Sequence, residues 1–112
     1  MQIQVRTDDH IQGGESLARW IEQEVAERLA RFRDQLTHVD VFLSDGNADK
    51  AGDKRCVLEA RLAGRQPLAA NAEAATVADA FTSAADKLVR VLDTDQGRLK
   101  DRHGRDTIRA PS

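Results

Sequence analysis

The sequence has very little cysteine and no long hydrophobic run, and each absence excludes a class of protein. Its one cysteine, Cys56, rules out a disulfide within the chain. No apolar run approaches the ~18 residues of a membrane span, and the N-terminal stretch MQIQVRTDD lacks the pattern of a signal peptide. We therefore expect a cytoplasmic protein that has no membrane partner.

The chain also lacks a strong net charge, although its charges are unevenly distributed. The net charge is −2 over 112 residues, and charged residues make up 32% of the chain, which predicts one folded, soluble domain. Residues 1–53 carry six Lys/Arg against eleven Asp/Glu, whereas residues 87–112 carry seven against four. Such a gradient can orient a protein on a polyanion, but two solvated faces without a partner explain it equally well.

Hydrophobic periodicity predicts six elements along the chain. Alternating apolar and polar residues predict strands at residues 2–6, 37–44, 56–62 and 67–73. Apolar residues that recur every three to four positions predict an amphipathic helix of about five turns from Glu15 to Phe32. A second helix begins after Thr76, whose hydroxyl can cap the first turn in a sequence that resembles a capping box with Asp79.

The order strand, helix, strand, strand, strand, helix predicts an α+β fold of βαβββα type. Because each element has one apolar face, we expect a four-stranded mixed sheet with both helices packed on one face. A right-handed crossover makes the first two strands parallel, while hairpins make the other pairs antiparallel. Pro67 indicates an edge position for the fourth strand. We expect one domain over residues 1–103 and a flexible tail over residues 104–112; whether Gly97 ends the second helix is open.

One segment resembles a calcium loop. Asp45, Asn47 and Asp49 have the spacing of the first three ligands of an EF-hand loop. The positions that require glycine and a bidentate glutamate hold Lys50 and Cys56 instead, and the flanking segments are predicted strands rather than helices. We interpret the segment as a long, mobile hairpin loop and predict no metal site.

No catalytic motif is present in the sequence. Cys56 falls on the inward face of the third predicted strand, where a small buried thiol is a better interpretation than a nucleophile. His10, His38 and His103 lack metal-ligand spacing and form no evident triad with Cys56. We therefore predict no enzymatic activity, no cofactor and no small-molecule substrate.

Basic residues flank the apolar stripe of both predicted helices. They are Arg28 and Arg31 in the first helix, and Lys87, Arg90, Arg98, Lys100 and Arg102 in and after the second. If the helices lie side by side, these residues line one positive strip, and Lys/Arg contacts with phosphates supply most sequence-independent affinity for nucleic acid. Ordinary solvated helix faces are the competing interpretation.

Five segments, in this order and spacing, resemble the hibernation-promoting factor / ribosome-associated inhibitor family. This family is also called the ribosomal subunit interface or sigma-factor modulation proteins. The segments are MQIQV, VAERLARF, HVDVFLSD, KRCVLEARLAGRQPLAANAEAAT and AFTSAADKLVRVL. The resemblance extends from Met1 to about Arg102 and implies a βαβββα fold related in shape to double-stranded-RNA-binding domains.

The resemblance also implies a function. It points to a non-catalytic protein that binds the RNA of the small ribosomal subunit near the sites for messenger and transfer RNA. There it would block translation and preserve idle ribosomes under stress. By resemblance, Arg28, Arg31, Lys87 and Arg90 would contact ribosomal RNA through its backbone and shape rather than its bases.

A second hypothesis keeps the fold and changes the partner. It describes a protein-interaction module that regulates a stress or transcription factor through the polar face of the sheet. The candidate surface comprises His38, Phe42, Val57 and Arg61. The oligomeric state stays open.

Overall fold

The computed structural model describes residues 1–8, 11, 14–45 and 54–108, with side chains up to residue 95. The described elements follow the predicted order and confirm the α+β, βαβββα fold. They are β1 (Gln2–Thr7), α1 (Gly14–Arg28), β2 (Leu36–Asp45), β3 (Lys54–Leu62), β4 (Leu68–Ala74) and α2 (Val77–Ile108), with one 3-10 turn (Ala30–Phe32) after α1. Most of the loop interpreted above as a hairpin, residues 46–53, lies outside the described residues.

The sheet has the strand order β1-β2-β3-β4. β1 pairs with β2 in parallel, and the two following pairs are antiparallel, as the connections predict. β4 lies at the edge, which is where Pro67 indicated it would be. The β3–β4 turn contains Gly64 at φ 68°, a left-handed conformation that favours glycine.

The core fills the space between the inward face of the sheet and the two helices. Alternate residues of β2 and β3 are almost completely buried because successive side chains of a strand point to opposite faces. The largest fully buried side chains are Ile21, Phe32, Leu58, Phe81, Leu88 and Leu92. The apolar stripes predicted for the helices therefore face the sheet, which fixes which helix residues remain outside.

The first helix is shorter than predicted. α1 ends at Arg28, and the chain tightens into the 3-10 turn, where Phe32 N–H donates to the Leu29 carbonyl at 3.0 Å. Leu29 and Phe32 are both buried, so the apolar spacing was interpreted correctly but the five-turn helix was wrong.

The second helix is longer than its internal glycines indicate. α2 continues through Gly97 and reaches Ile108, so Gly97 is spanned rather than being the last residue. Its start matches the expectation, because Asp79 N–H donates to Thr76 Oγ1 at 3.1 Å. The division into a domain over residues 1–103 and a flexible tail stays a prediction, and residues 109–112 lie outside the described part. Within the described residues, no helix is long and apolar enough to span a bilayer.

Candidate nucleic-acid interface

The two helices lie on the same face of the sheet and run in the same direction. Trp20 contacts Phe81 edge-on, with ring centroids 5.5 Å apart. Further along both helices, Arg28 of α1 pairs with Asp86 of α2. In these two contacts the residue number increases in the same direction along α1 and along α2, so the two helices are parallel. The groove between the helices contains the first of the predicted site residues.

Arg28 is held between two carboxylates. Its Nε donates to Glu24 Oε1 at 3.2 Å, one turn earlier in α1, and its terminal nitrogen donates to Asp86 Oδ1 at 2.9 Å. The arginine side chain is 30% exposed, so part of it stays in contact with water. The pair with Asp86 joins α1 to α2.

Arg31 makes the second connection between the two helical segments. Its guanidinium donates to Asp93 Oδ2 at 2.5 Å and lies over the Phe32 ring, 4.7 Å from the ring centroid. Arg31 lies in the 3-10 turn, three residues after Arg28, and reaches α2 from there. The arginine and aspartate side chains are 60% and 47% exposed, so solvent reaches the pair.

A third arginine pairs with α2 from a position that the sequence did not indicate. Arg65, just after the β3–β4 turn, donates to Asp95 Oδ1. The other carboxylate oxygen of Asp95 is buried and has no hydrogen-bond partner among the described residues. Asp86, Asp93 and Asp95 therefore each bind an arginine from another part of the chain, a long-range pattern that helical periodicity cannot show.

Lys87 and Arg90 lie on the other flank of α2. Lys87 Nζ donates to the backbone carbonyl of Asn71 at 3.1 Å and so covers part of the β4 edge. Arg90 lines a shallow cavity of about 250 Å³ together with Leu68, Val91, Thr94 and Asp95. Its guanidinium has no ion pair with any side chain that the structure describes.

The described basic residues do not line the one positive strip that was predicted for helices lying side by side. Arg28 and Arg31 lie on the α1 side of α2 and are paired with carboxylates, whereas Lys87 reaches β4 on the opposite side. Side chains at Arg98, Lys100 and Arg102 lie outside the described residues, although α2 includes their backbone. RNA binding by all seven residues stays a prediction.

Arg33 is a basic residue that the predicted site omitted. It follows the 3-10 turn two positions after Arg31, is exposed, and has no ion pair within the described part of the chain. The signal for it was the third arginine of the run at positions 28, 31 and 33. Arg33 therefore gives the end of the first helical segment an exposed charge that no described carboxylate pairs with.

Comparison with known proteins decides the family. A family model described as "Sigma 54 modulation protein / S30EA ribosomal protein" matches residues 3–100. The chain belongs to this family. No curated protein sequence matches the S30EA chain significantly.

Two solved structures are similar to this S30EA family member. The N-terminal domain of Protein Y from Thermus thermophilus is 23% identical, with 80% of this chain and 93% of that domain covered and a TM-score of 0.63. A ribosomal subunit interface protein from Coxiella burnetii is 16% identical, with 87% and 99% covered and a TM-score of 0.69. At these identities the likeness shows the shared fold.

The outer face of the sheet, which neither helix covers, is a second surface of this S30EA protein. Phe42 is 37% exposed there, and the Arg6 guanidinium lies 5.6 Å from its ring centroid. Polar neighbours pair with each other: His38 Nε2 lies 2.7 Å from Asp40 Oδ1, and Arg61 binds Glu59 at 3.4 Å. The face therefore combines one exposed aromatic ring with locally balanced charges.

Cys56 and His38, which the sequence analysis considered as possible catalytic residues, are not arranged for catalysis. Cys56 is fully buried on the inward face, and this burial raises the pKa of its thiol to about 12, which opposes formation of a thiolate. His38 lies on the opposite face of the sheet, so the two cannot form a catalytic pair. Among the residues with described side chains, no three His, Cys, Asp or Glu are grouped to hold a metal ion.

Proposed function

We propose that this protein is a ribosome-associated translation modulator, similar to hibernation factors, that binds the RNA of the small ribosomal subunit. The observation that carries the proposal is the arginine cluster at the end of the first helical segment. Arg28 and Arg31 each reach a carboxylate of α2, Arg33 is exposed two positions further along the chain, and the side chain of Arg31 is largely exposed. The family description, which includes a ribosomal protein, supports the same partner.

The ion pairs in the groove are compatible with phosphate binding because they are open to solvent. Exposed salt bridges contribute only about 0.2–1 kcal/mol, so an incoming phosphate exchanges with a carboxylate at small cost. A guanidinium presents the same fork of donors to a phosphate as to a carboxylate. In the proposed complex, Arg28 and Arg31 exchange their aspartates for RNA phosphates, and Arg33 adds a contact without exchange.

The other flank of α2 contributes at the margin of the interface. Arg90 is available as it stands, whereas Lys87 already donates one of its three ammonium N–H groups to the Asn71 carbonyl. The sequence of α2 also includes Arg98, Lys100 and Arg102, which would add phosphate contacts in this proposal. These contacts recognise the backbone and the shape of RNA, so they suit recognition of folded ribosomal RNA better than recognition of a particular base sequence.

In this proposal the protein acts by occupancy and not by catalysis. Bound near the sites for messenger and transfer RNA, it blocks translation and preserves idle subunits during stress. Such a protein works in the cytoplasm, where ribosomes are. It needs no cofactor, because charge and shape supply the binding.

Co-sedimentation with purified small subunits, at low and at moderate salt, tests the proposal. We expect association that weakens as salt rises and that the double substitution Arg28→Glu, Lys87→Glu reduces strongly. The matched control is Arg19→Glu, because Arg19 is an exposed arginine of α1 whose only described partner is Glu15 at 4.0 Å in the same helix. Absence of association at every salt concentration would refute ribosome binding.

The outer sheet face supports a second candidate, a module that binds a transcription or stress factor. Its carrying observation is Phe42, an exposed aromatic ring on a central strand of an uncovered face. The first half of the family description names sigma 54 modulation. The test is binding of purified sigma-54 factor to the wild type and to Phe42→Gln. This second candidate function requires that Phe42→Gln loses binding to sigma-54 factor while its association with small ribosomal subunits is unchanged.

A further inference from the structure

The carboxylates of Asp86 and Asp93 lie where the proposed RNA phosphates would bind. Asp86 Oδ1 accepts from Arg28 at 2.9 Å, and Asp93 Oδ2 accepts from Arg31 at 2.5 Å. About half of each aspartate side chain is exposed. Seven residues separate the two aspartates, which is nearly two helical turns, so both project from one face of α2 toward the first helical segment.

We propose that Asp86 and Asp93 are intramolecular counter-ions that occupy Arg28 and Arg31 in the free protein and yield them to RNA. This inference rests on the proposed function, because it concerns the same arginines. Carboxylate and phosphate oxygens compete for one guanidinium fork, and an aspartate fixed on the adjacent helix is always present beside it. RNA affinity is therefore lower than the number of arginines indicates.

The competition also makes binding selective. A displaced carboxylate remains close to the bound phosphate, and like charges at that distance repel. A lone anion must overcome this repulsion with a single contact. An RNA backbone that offers two phosphates to the two arginines gains both contacts at once, so the carboxylates discriminate against isolated anions and favour folded RNA.

The arginines remain oriented when their aspartates are displaced. Arg28 keeps its bond to Glu24, which lies one turn earlier in the same helix and is only 25% exposed. Arg31 keeps its position over the Phe32 ring, which belongs to the buried core. The aspartates are thus not needed to position the guanidinium groups, and removal of their charge is expected to strengthen binding.

The test compares Asp86→Asn, Asp93→Asn and the double variant with the wild type. Asparagine keeps the size and one acceptor oxygen of aspartate, and it replaces the negative charge and the second oxygen with a neutral NH2 group. We expect each substitution to raise the affinity for small subunits at moderate salt by about two- to fivefold. The matched control is Asp79→Asn, which removes the same charge seven residues before Asp86, where no described arginine pairs with it.

A second comparison separates the pair from the general field of the protein. In an Arg28→Gln background, Asp86→Asn has no arginine to release. The increase in affinity for small subunits that Asp86→Asn causes is therefore expected to shrink to the increase caused by Asp79→Asn. Equal gains in both backgrounds, or weaker binding of the aspartate variants, would overturn the counter-ion role. If the wild type binds subunits and the variants bind no better, only this inference fails. If neither binds at any salt concentration, the proposed function itself fails.

Discussion

The contact between Phe81 and Trp20 provides the sharpest test of how α2 is attached. Phe81 is fully buried in α2 and touches the ring of Trp20 in α1, the only tryptophan of the chain. We consider Phe81→Ala, which removes the ring and leaves a cavity between the two helices and the sheet. The same contact holds the helices that carry Arg28 and Asp86, so its loss affects the candidate interface.

The expected destabilisation follows from burial. Truncation of a fully buried phenylalanine lowers the free energy of unfolding by about 3–5 kcal/mol, a range that includes the lost cavity contacts. The edge-on contact with Trp20 accounts for roughly 0.5–1.5 kcal/mol of this. With a urea dependence of about 2 kcal/mol per molar, the unfolding midpoint falls by roughly 2 M. A domain of this size, stable by about 5–15 kcal/mol, stays folded in the absence of urea in most of that range.

Urea unfolding followed by Trp20 fluorescence and by circular dichroism measures the effect. The matched control is Phe42→Ala, the same truncation on the outer sheet face, where 37% of the residue is exposed. We expect the control to lower the free energy of unfolding by about 1 kcal/mol or less, because less apolar surface leaves the interior. Equal losses for the two substitutions would show that α2 does not pack on α1 through Phe81.

Two further predictions concern the cap and the buried thiol. Replacement of Thr76 by alanine removes the acceptor for the Asp79 N–H and should lower the free energy of unfolding by about 1 kcal/mol, measured by urea titration. Unfolded Cys56 ionises near its ordinary pKa of 9.0, whereas the folded thiol keeps its proton until about 12. Stability should therefore fall between pH 9 and 12, by at most ~1.4 kcal/mol per pH unit, and Cys56→Ala should remove that component. A thiol reagent that modifies Cys56 in the folded protein as fast as in urea would contradict this burial.

Much of the fold could be predicted because its signals are local. Strand alternation and helical spacing each need only a few neighbouring residues, and the connection rules then determine which strands are parallel. The boundary that differs most from its prediction, the end of α1 at Arg28, is marked by neither proline nor glycine. The last turn of α1 tightens so that Phe32 reaches the core, and this depends on packing against the sheet. The path of α2 through Gly97 was likewise open from the sequence.

The candidate site could be predicted only in part, because its charges are arranged by contacts between distant residues. The sequence by itself determined which residues are basic, which face of each helix is apolar, and that the two helices share one side of a sheet. It did not determine that Arg28 and Arg31 meet carboxylates 58 and 62 positions away, or that Lys87 turns to the β4 edge. Those partners follow from the parallel alignment of the helices. Tertiary structure alone decided them, since electrostatic pairing depends on distance in space and hydrophobic periodicity only on position along the chain.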